Sequence, residues 1–277
     1  MPAAPLSDFS RLCLHTITTK PWPIEEATRR YAAAGVKGVT VWRQWLAGRN
    51  IAQVGAALRS AGLQVVSLCR GGFFPAADAA GRRAAIDDNL KAIDEAAELG
   101  APLIVLVCGA VPGQALEVSR AQIAEGIAAI LDRAQQARVK LAVEPLHPMY
   151  ADARSAINTL RQANDLRERF NSPYVGVAVD VYHVWWDPEL QSQIERAGRA
   201  GRILAFHVSD WRTPTEDLLN DRGLMGEGCI DIRQIRGWVE ECGFSGFIEV
   251  EVFSNRYWAT DQVEFLENIK KVYLEFV

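Results

Sequence analysis

The chain has 277 residues, 49% hydrophobic and 23% charged, with a formal net charge of −4 and a pI near 5.7. This is the composition of a globular protein, and the acidic balance argues against a nucleic-acid partner, because phosphate binding calls for a basic face. No apolar run approaches the roughly 18 residues needed to span a bilayer, and the start, MPAAPLSDFSR, lacks the basic and apolar regions of a secretory signal.

Short apolar, β-branched runs alternate with amphipathic segments from end to end. Strands are expected at Leu12–Thr16, Gly38–Trp42, Gln64–Cys69, Leu103–Cys108, Leu141–Glu144, Val175–Asp180, Leu204–Val208 and Phe247–Val252. Helical segments such as IEEATRRYAAAG, RRAAIDDNLKAIDEAAELG and SRAQIAEGIAAILDRAQQARV lie between them, and the last is TDQVEFLENIKKVYLEF. Gly35, Gly62, Gly100 and Gly243 stand where helices should stop. The strands show no polar alternation, as expected of parallel strands covered on both faces. Eight such strand–helix units predict an α/β protein, a single-domain (β/α)8 TIM barrel over residues 1–277, ahead of a doubly wound sheet that would need polar edge strands. The longest loops, Gly71–Gly81 and Trp211–Cys229, leave from C-terminal strand ends, where barrels build their sites. The five cysteines, Cys13, Cys69, Cys108, Cys229 and Cys242, form no CxxC pair and read as buried, reduced thiols of a cytoplasmic protein.

Charge breaks the apolar pattern at one end of the strands. His15 lies in LCLHT, Glu144 and His147 in LAVEPLH, Asp180 and His183 in VAVDVYH, His207 and Asp210 in AFHVSD, and Glu249 and Glu251 in FIEVEVF. An unpaired charge in a strand buried on both faces is costly, so charges gathered at several strand ends imply a site there. Glu144, Asp180, His207 and Glu251 come from strands five to eight, and neighbouring strands lie about 4.8 Å apart, so the four form one arc. Taken singly, each has a plainer role: a solvated loop carboxylate, a helix cap, a histidine on a backbone carbonyl. Together they make a set of three carboxylates and one imidazole suited to one divalent metal, Mn²⁺ first, with Mg²⁺, Co²⁺ and Zn²⁺ also accommodated.

Glu249 shares the strand parity of Glu251 but lies one layer deeper, where it would support a ligand or pair with a buried arginine. His15 either reaches the same pocket or packs in the core. Trp42, Trp185, Trp186, Trp211 and Trp258 fall on the mouth side, where indoles stack on sugars or form subunit interfaces; Trp42 and Trp211 are the expected substrate contacts. Arg70, followed by Gly71 and Gly72, would hold an anion or a salt bridge. No GxxxxGK or GxGxxG loop is present, so no nucleotide cofactor is implied.

The segments EPLHPMYADARSAINTL, GVAVDVYHVWW, FHVSDW, DRGLMGEGCIDI and GFSGFIEVEVFSNRYW resemble the xylose-isomerase-like barrels of sugar phosphate isomerases and epimerases, the group that includes inosose isomerases and ketose 3-epimerases. The resemblance runs over nearly the whole chain and is strongest from Leu141 to Tyr257. It implies the same metal ligands, Glu144, Asp180, His207 and Glu251, with substrate contacts at His183 and Arg212. The chain departs from ketose 3-epimerases at Tyr150, where they carry a further carboxylate, and has His147 and Arg154 in that loop as the substrate-facing candidates. The implied activity is a metal-dependent sugar or polyol isomerase or epimerase, in which Glu144 and Glu251 move a proton through a metal-stabilised enediolate. Tyr150 keeps a second reading open, a metal-dependent lyase (an inosose dehydratase or a 3-keto-glycoside deglycosylase) with His147 or His183 as the acid. A non-catalytic partner subunit is the third. The expected partner is a small sugar, keto-sugar or cyclitol, with no nucleic acid and no membrane, and the resemblance implies association into a homo-oligomer.

Overall fold

The computed structural model describes residues 2–277. In chain order the strands are β1 (Leu12–His15), β2 (Gly38–Trp42), β3 (Gln64–Gly72), β4 (Leu103–Val107), β5 (Lys140–Glu144), β6 (Val175–Asp180), β7 (Ile203–Val208), β8 (Asp210–Trp211), β9 (Arg222–Gly223) and β10 (Ile248–Val250). Eight of them close a parallel barrel in the order β1-β10-β7-β6-β5-β4-β3-β2, so the expected (β/α)8 barrel is the fold. All eight expected strands form, and β3 runs three residues further than expected, to Gly72. The two-residue strands β8 and β9 form a small antiparallel ladder inside the loop after β7, which the sequence pattern did not announce.

Every residue of β1, β2, β4 and β6 is buried, as the lack of polar alternation required. The side chains that fill the barrel and its helical coat include Leu12, Leu14, Val39, Leu68, Ile104, Val143 and Phe206, all at most 1% exposed; each such burial contributes about 1.5–3 kcal/mol. The longest helices, Ala79–Leu99 and Leu116–Ala137, pack side by side outside β3, β4 and β5. Helix starts are capped by side chains: Asp78 accepts from Gly81 N, Thr159 from Gln162 N, and Asp231 from Gln234 N, each cap contributing about 1 kcal/mol. The helix stops expected at Gly35, Gly62, Gly100 and Gly243 all have positive φ. At Gly100 this left-handed turn lets its N–H close onto Ala96 O and Ala97 O, which an L-residue with a side chain would adopt only under strain. Among the described residues, no helix is long and apolar enough to cross a membrane.

The cysteines follow the expectation in part. Cys13, Cys69 and Cys108 are buried free thiols, but Cys242 is half-buried and Cys229 is exposed on the long loop after β7. Both lie outside the barrel strands, so strand burial does not reach them.

Barrel register sets the layers of the site. Asp180 is the partner of His207 across β6 and β7, and His207 is the partner of Glu249 across β7 and β10. These three therefore lie in one layer, and Glu251, two residues past Glu249, stands one layer nearer the C-terminal mouth. On the other side of the arc, Glu144 pairs in register with Val107 of β4.

Candidate metal centre

Ligand atoms of Glu144, Asp180, His207 and Glu251 all lie within 4.8 Å of one another, and all four residues are buried. The structure thus brings together the whole set expected from strands five to eight. His207 is fully buried, yet neither ring nitrogen makes a hydrogen bond, and Glu144 Oε1 is buried without one as well. His207 Nδ1 and Glu144 Oε1 are 3.0 Å apart but are not aligned as donor and acceptor. Buried polar atoms left this way are costly. Lone pairs converging from three carboxylates and an imidazole are the donor set of a hard or borderline dication.

One layer below Glu251 and level with His207, Glu249 holds this group in place. Its Oε2 accepts from Thr40 Oγ1 at 2.5 Å and lies 3.1 Å from His15 Nε2, and its Oε1 is 3.8 Å from His207 Nε2. The partners of Glu249 are thus histidines and a threonine, not the buried arginine considered from sequence. His15 is fully buried between Glu249 and Glu251, with Nδ1 2.8 Å from Glu251 Oε1. Burial opposes a charge on His15, but the adjacent Glu251 and Glu249 outweigh it and raise its pKa to about 9. Trp42 Nε1 also lies 3.3 Å from His15 Nδ1. A nitrogen that donates to Glu251 cannot accept from Trp42, and the shorter, charge-assisted pair decides the proton's place.

Arg222, from β9, was not singled out by sequence reasoning, and it is the main cation of the site. Its Nη1 lies 2.9 Å from Asp180 Oδ2 and 2.9 Å from Glu251 Oε2, and its Nη2 lies 3.0 Å from His183 Nε2. Burial works against the Glu251 charge, but His15 and Arg222 hold it well below the usual carboxylate range. For Asp180 burial wins and raises the pKa to about 7 despite Arg222. His207, opposed by burial but facing Glu249 and Glu144, is raised to about 9. Four carboxyl groups (Glu144, Asp180, Glu249, Glu251) crowd around Arg222, His15 and His207. A dication in place of the His207 proton would add positive charge among these carboxyl groups, so the residues fit a divalent metal.

His183 lines the cavity that also holds Glu144 and Glu251, together with Trp42, Tyr150, Arg154 and Arg222. Its two ring nitrogens each face a donor, Arg222 Nη2 at 3.0 Å and His147 N at 3.3 Å. A neutral imidazole accepts at only one, and the shorter contact to the guanidinium prevails. Burial first, and Arg222 next, push His183 well below its ordinary pKa, so it is neutral.

The other expected contacts lie elsewhere. Arg212 turns away to Asp221, its Nη1 2.6 Å from Oδ1, and the antiparallel pairing of Trp211 with Arg222 puts Arg222 in the cavity instead. His147 caps a short 3-10 turn, its Nδ1 accepting from Met149 N, and stands 4.7 Å from the Trp211 ring centre. Trp211 packs on Tyr182 and Trp185, behind the residues that line the cavity. Trp42 does line it. Tyr150, where the expected carboxylate is missing, donates its hydroxyl to Leu218 O and so ties the loop after β7 across the mouth. The cavity beneath holds only about 20 Å³ of free volume.

The model of the family described as the xylose isomerase-like TIM barrel matches residues 28–269. The crystal structure of protein SMc04130 from Sinorhizobium meliloti 1021 is 46% identical, with a TM-score of 0.94 over 97% of this chain and 99% of that one. An inosose isomerase from Bacillus licheniformis is 27% identical over 215 residues, 74% of this chain and 73% of its own length. The structure of the IolI protein with a bound zinc atom shares the fold, with a TM-score of 0.85 at 21% identity over 96% of this chain and 98% of that one. The chain belongs to the xylose isomerase-like TIM barrel family.

Proposed function

We propose that this protein is a divalent-metal-dependent isomerase or epimerase acting on a sugar, keto-sugar or cyclitol. The observation that carries this reading is the buried convergence of Glu144, Asp180, His207 and Glu251, with Glu144 Oε1 and both His207 nitrogens lacking hydrogen bonds. Similarity to an inosose isomerase supports a polyhydroxylated carbonyl compound as substrate. The same four residues would hold the metal, Mn²⁺ being the favoured ion, and when bound it supplies the polarisation that acidifies a C–H beside a carbonyl.

The chain's own residues handle the proton. Glu144 Oε1 is a buried carboxylate oxygen that makes no hydrogen bond, and it accepts the proton from carbon. Glu251 is anchored through Oε1 to His15 and through Oε2 to Arg222, so it keeps its position, and the proton it hands to carbon comes from protonated His15 through the 2.8 Å contact of Nδ1 with Oε1, while Glu144 keeps the proton it took. Arg222 and His183, side by side in the cavity, orient substrate oxygens and stabilise negative charge that builds on them. Return of a proton to the same carbon is epimerisation, and to the neighbouring carbon isomerisation. The lyase alternative calls for a differently placed acid such as His147 or His183, and burial lowers the pKa of both, which does not favour that role.

Proton NMR in D₂O with the Mg²⁺-loaded protein and a panel of ketoses, inososes and 3-keto glucosides tests the reading. Deuterium entering beside the carbonyl with the carbon skeleton retained is the expected result. Release of water or an aglycone would replace the isomerase with a lyase.

A further inference from the structure

Two arginines near the mouth are left over by the chemistry above. Among the described residues, Arg70 and Arg154 are the partly buried arginines whose guanidinium groups make neither a hydrogen bond nor an ion pair, and Arg154 Nε is fully shielded without a partner. Other half-buried arginines are satisfied: Arg43 by Asp88 and Glu95, Arg196 by Asp165 and Glu168, Arg212 by Asp221. Both spare guanidinium groups approach one aromatic ring, that of Phe73, at 4.0 Å for Arg70 and 5.9 Å for Arg154. Burial lowers the pKa of each; Arg154 and Arg43 add to it for Arg70, while for Arg154 the lowering by Arg222 is opposed by Tyr150, Glu144 and Glu251. Like charges brought together and part-desolvated without a carboxylate in ion-pair contact raise the free energy of the fold. An anion would reverse that cost.

The backbone fixes both groups in advance. Asn89 clamps the chain after Arg70, its Oδ1 accepting from Gly72 N and its Nδ2 donating to Gly72 O, both at 2.7 Å. A side chain at Gly72 would meet Val107 O at 1.9 Å, so glycine lets β3 close onto β4 and sets Phe73 in place. Arg154 is held by its own N–H to Tyr150 O and by Gly109 N–H to Arg154 O, both at 2.9 Å. Arg154 also lines the cavity that contains Glu144, His183 and Glu251, and Phe73 links Arg70 to it.

We propose that Arg70 and Arg154 form an oxyanion seat that takes a carboxylate or phosphate group of the substrate, while the metal centre takes its carbonyl end. Planar guanidinium forks suit both groups. This inference rests on the isomerase reading for what the anion is attached to, but the seat itself can be tested without turnover. Calorimetric titration of the Mg²⁺-loaded full chain with inorganic phosphate and with malonate separates the two sources, and myo-inositol serves as the neutral probe. At least one anion is expected to bind, weakening about tenfold or more in Arg70→Gln and in Arg154→Gln, the scale of one lost charge-assisted hydrogen bond. Binding should persist in Glu144→Gln, and Arg154→Lys, which keeps the charge but loses the fork, should fall between. Anion binding that ignores both arginines, that vanishes in Glu144→Gln, or that is absent from the wild-type protein overturns the seat. Binding that follows the arginines alongside silence in the D₂O experiment would keep the seat and remove the isomerase reading.

Discussion

Arg222 Nη1 lies 2.9 Å from Glu251 Oε2 and, through the same nitrogen, 2.9 Å from Asp180 Oδ2. One guanidinium atom thus ties carboxylates of β6 and the segment after β10, strands that β7 separates. Removing one partner of such a buried group leaves charges without compensation and costs about 3–5 kcal/mol. Arg222→Met is expected to lower the urea unfolding free energy of the metal-free protein by about 3 kcal/mol, with added Mn²⁺ restoring part of the loss. An unchanged unfolding midpoint would show that the guanidinium is not seated between the two carboxylates.

The two proposed proton carriers differ in how the fold holds them. Glu251 is bonded to His15 and Arg222, whereas Glu144 Oε1 makes no hydrogen bond and has His207 Nδ1 beside it. Glu144→Gln and Glu251→Gln should each lower kcat by about 10²–10⁴-fold, the range of general acid–base catalysis. Their thermal midpoints should separate, with Glu251→Gln the less stable. Equal stabilities with near-normal kcat in either variant would take that residue out of its role.

Tyr150 links the mouth to the loop after β7 through Leu218 O, and Leu219 of that loop lines the cavity. About 20 Å³ of free volume is far short of the about 300 Å³ of a small-molecule pocket, so the proposed substrate calls for movement of this loop. Tyr150→Phe removes the tie. Hydrogen–deuterium exchange of the amides of Glu216, Leu219 and Asn220, now bonded to Asp221 and Asp217, should accelerate in the variant. Unaltered exchange would mean that the tyrosine does not hold the loop.

The cluster was legible because charge has no place in strands covered on both faces; Glu144, Asp180, His207 and Glu251 stood out against apolar neighbours, and strand parity separated Glu249 from Glu251. Arg222 was not, because it comes from a loop, where no periodicity fixes which side chain turns inward. The Asp210↔Gly223 and Trp211↔Arg222 pairing that aims it is two residues long, too short to leave a pattern. The same gap explains Arg212, close in sequence to His207 yet committed to Asp221. The tryptophans fell on the expected side, but only packing distinguishes Trp42 in the cavity from Trp211 behind it.

His147 carries a pH prediction. Burial lowers its pKa below the ordinary value of about 6.5, and its neutral Nδ1 accepts from Met149 N. The folded state thus favours the neutral form; this contribution is present above pH 6.5, the unfolded value, and is lost as pH falls through the folded one. His147→Asn keeps a capping acceptor and removes the titration. Its thermal midpoint should drop less than the wild-type protein's between pH 7.5 and pH 5; an equal drop would assign the acid sensitivity elsewhere.

The central claim is that four side chains make one metal site, and direct Mn²⁺ titration of metal-free protein, followed by electron paramagnetic resonance of the free ion, tests it. One ion bound per chain in the wild-type protein is expected, with uptake weakened at least about tenfold in Asp180→Asn and retained in His183→Ala. A wild-type chain that takes up no ion, or an Asp180→Asn variant that binds as well as the wild type, would contradict it.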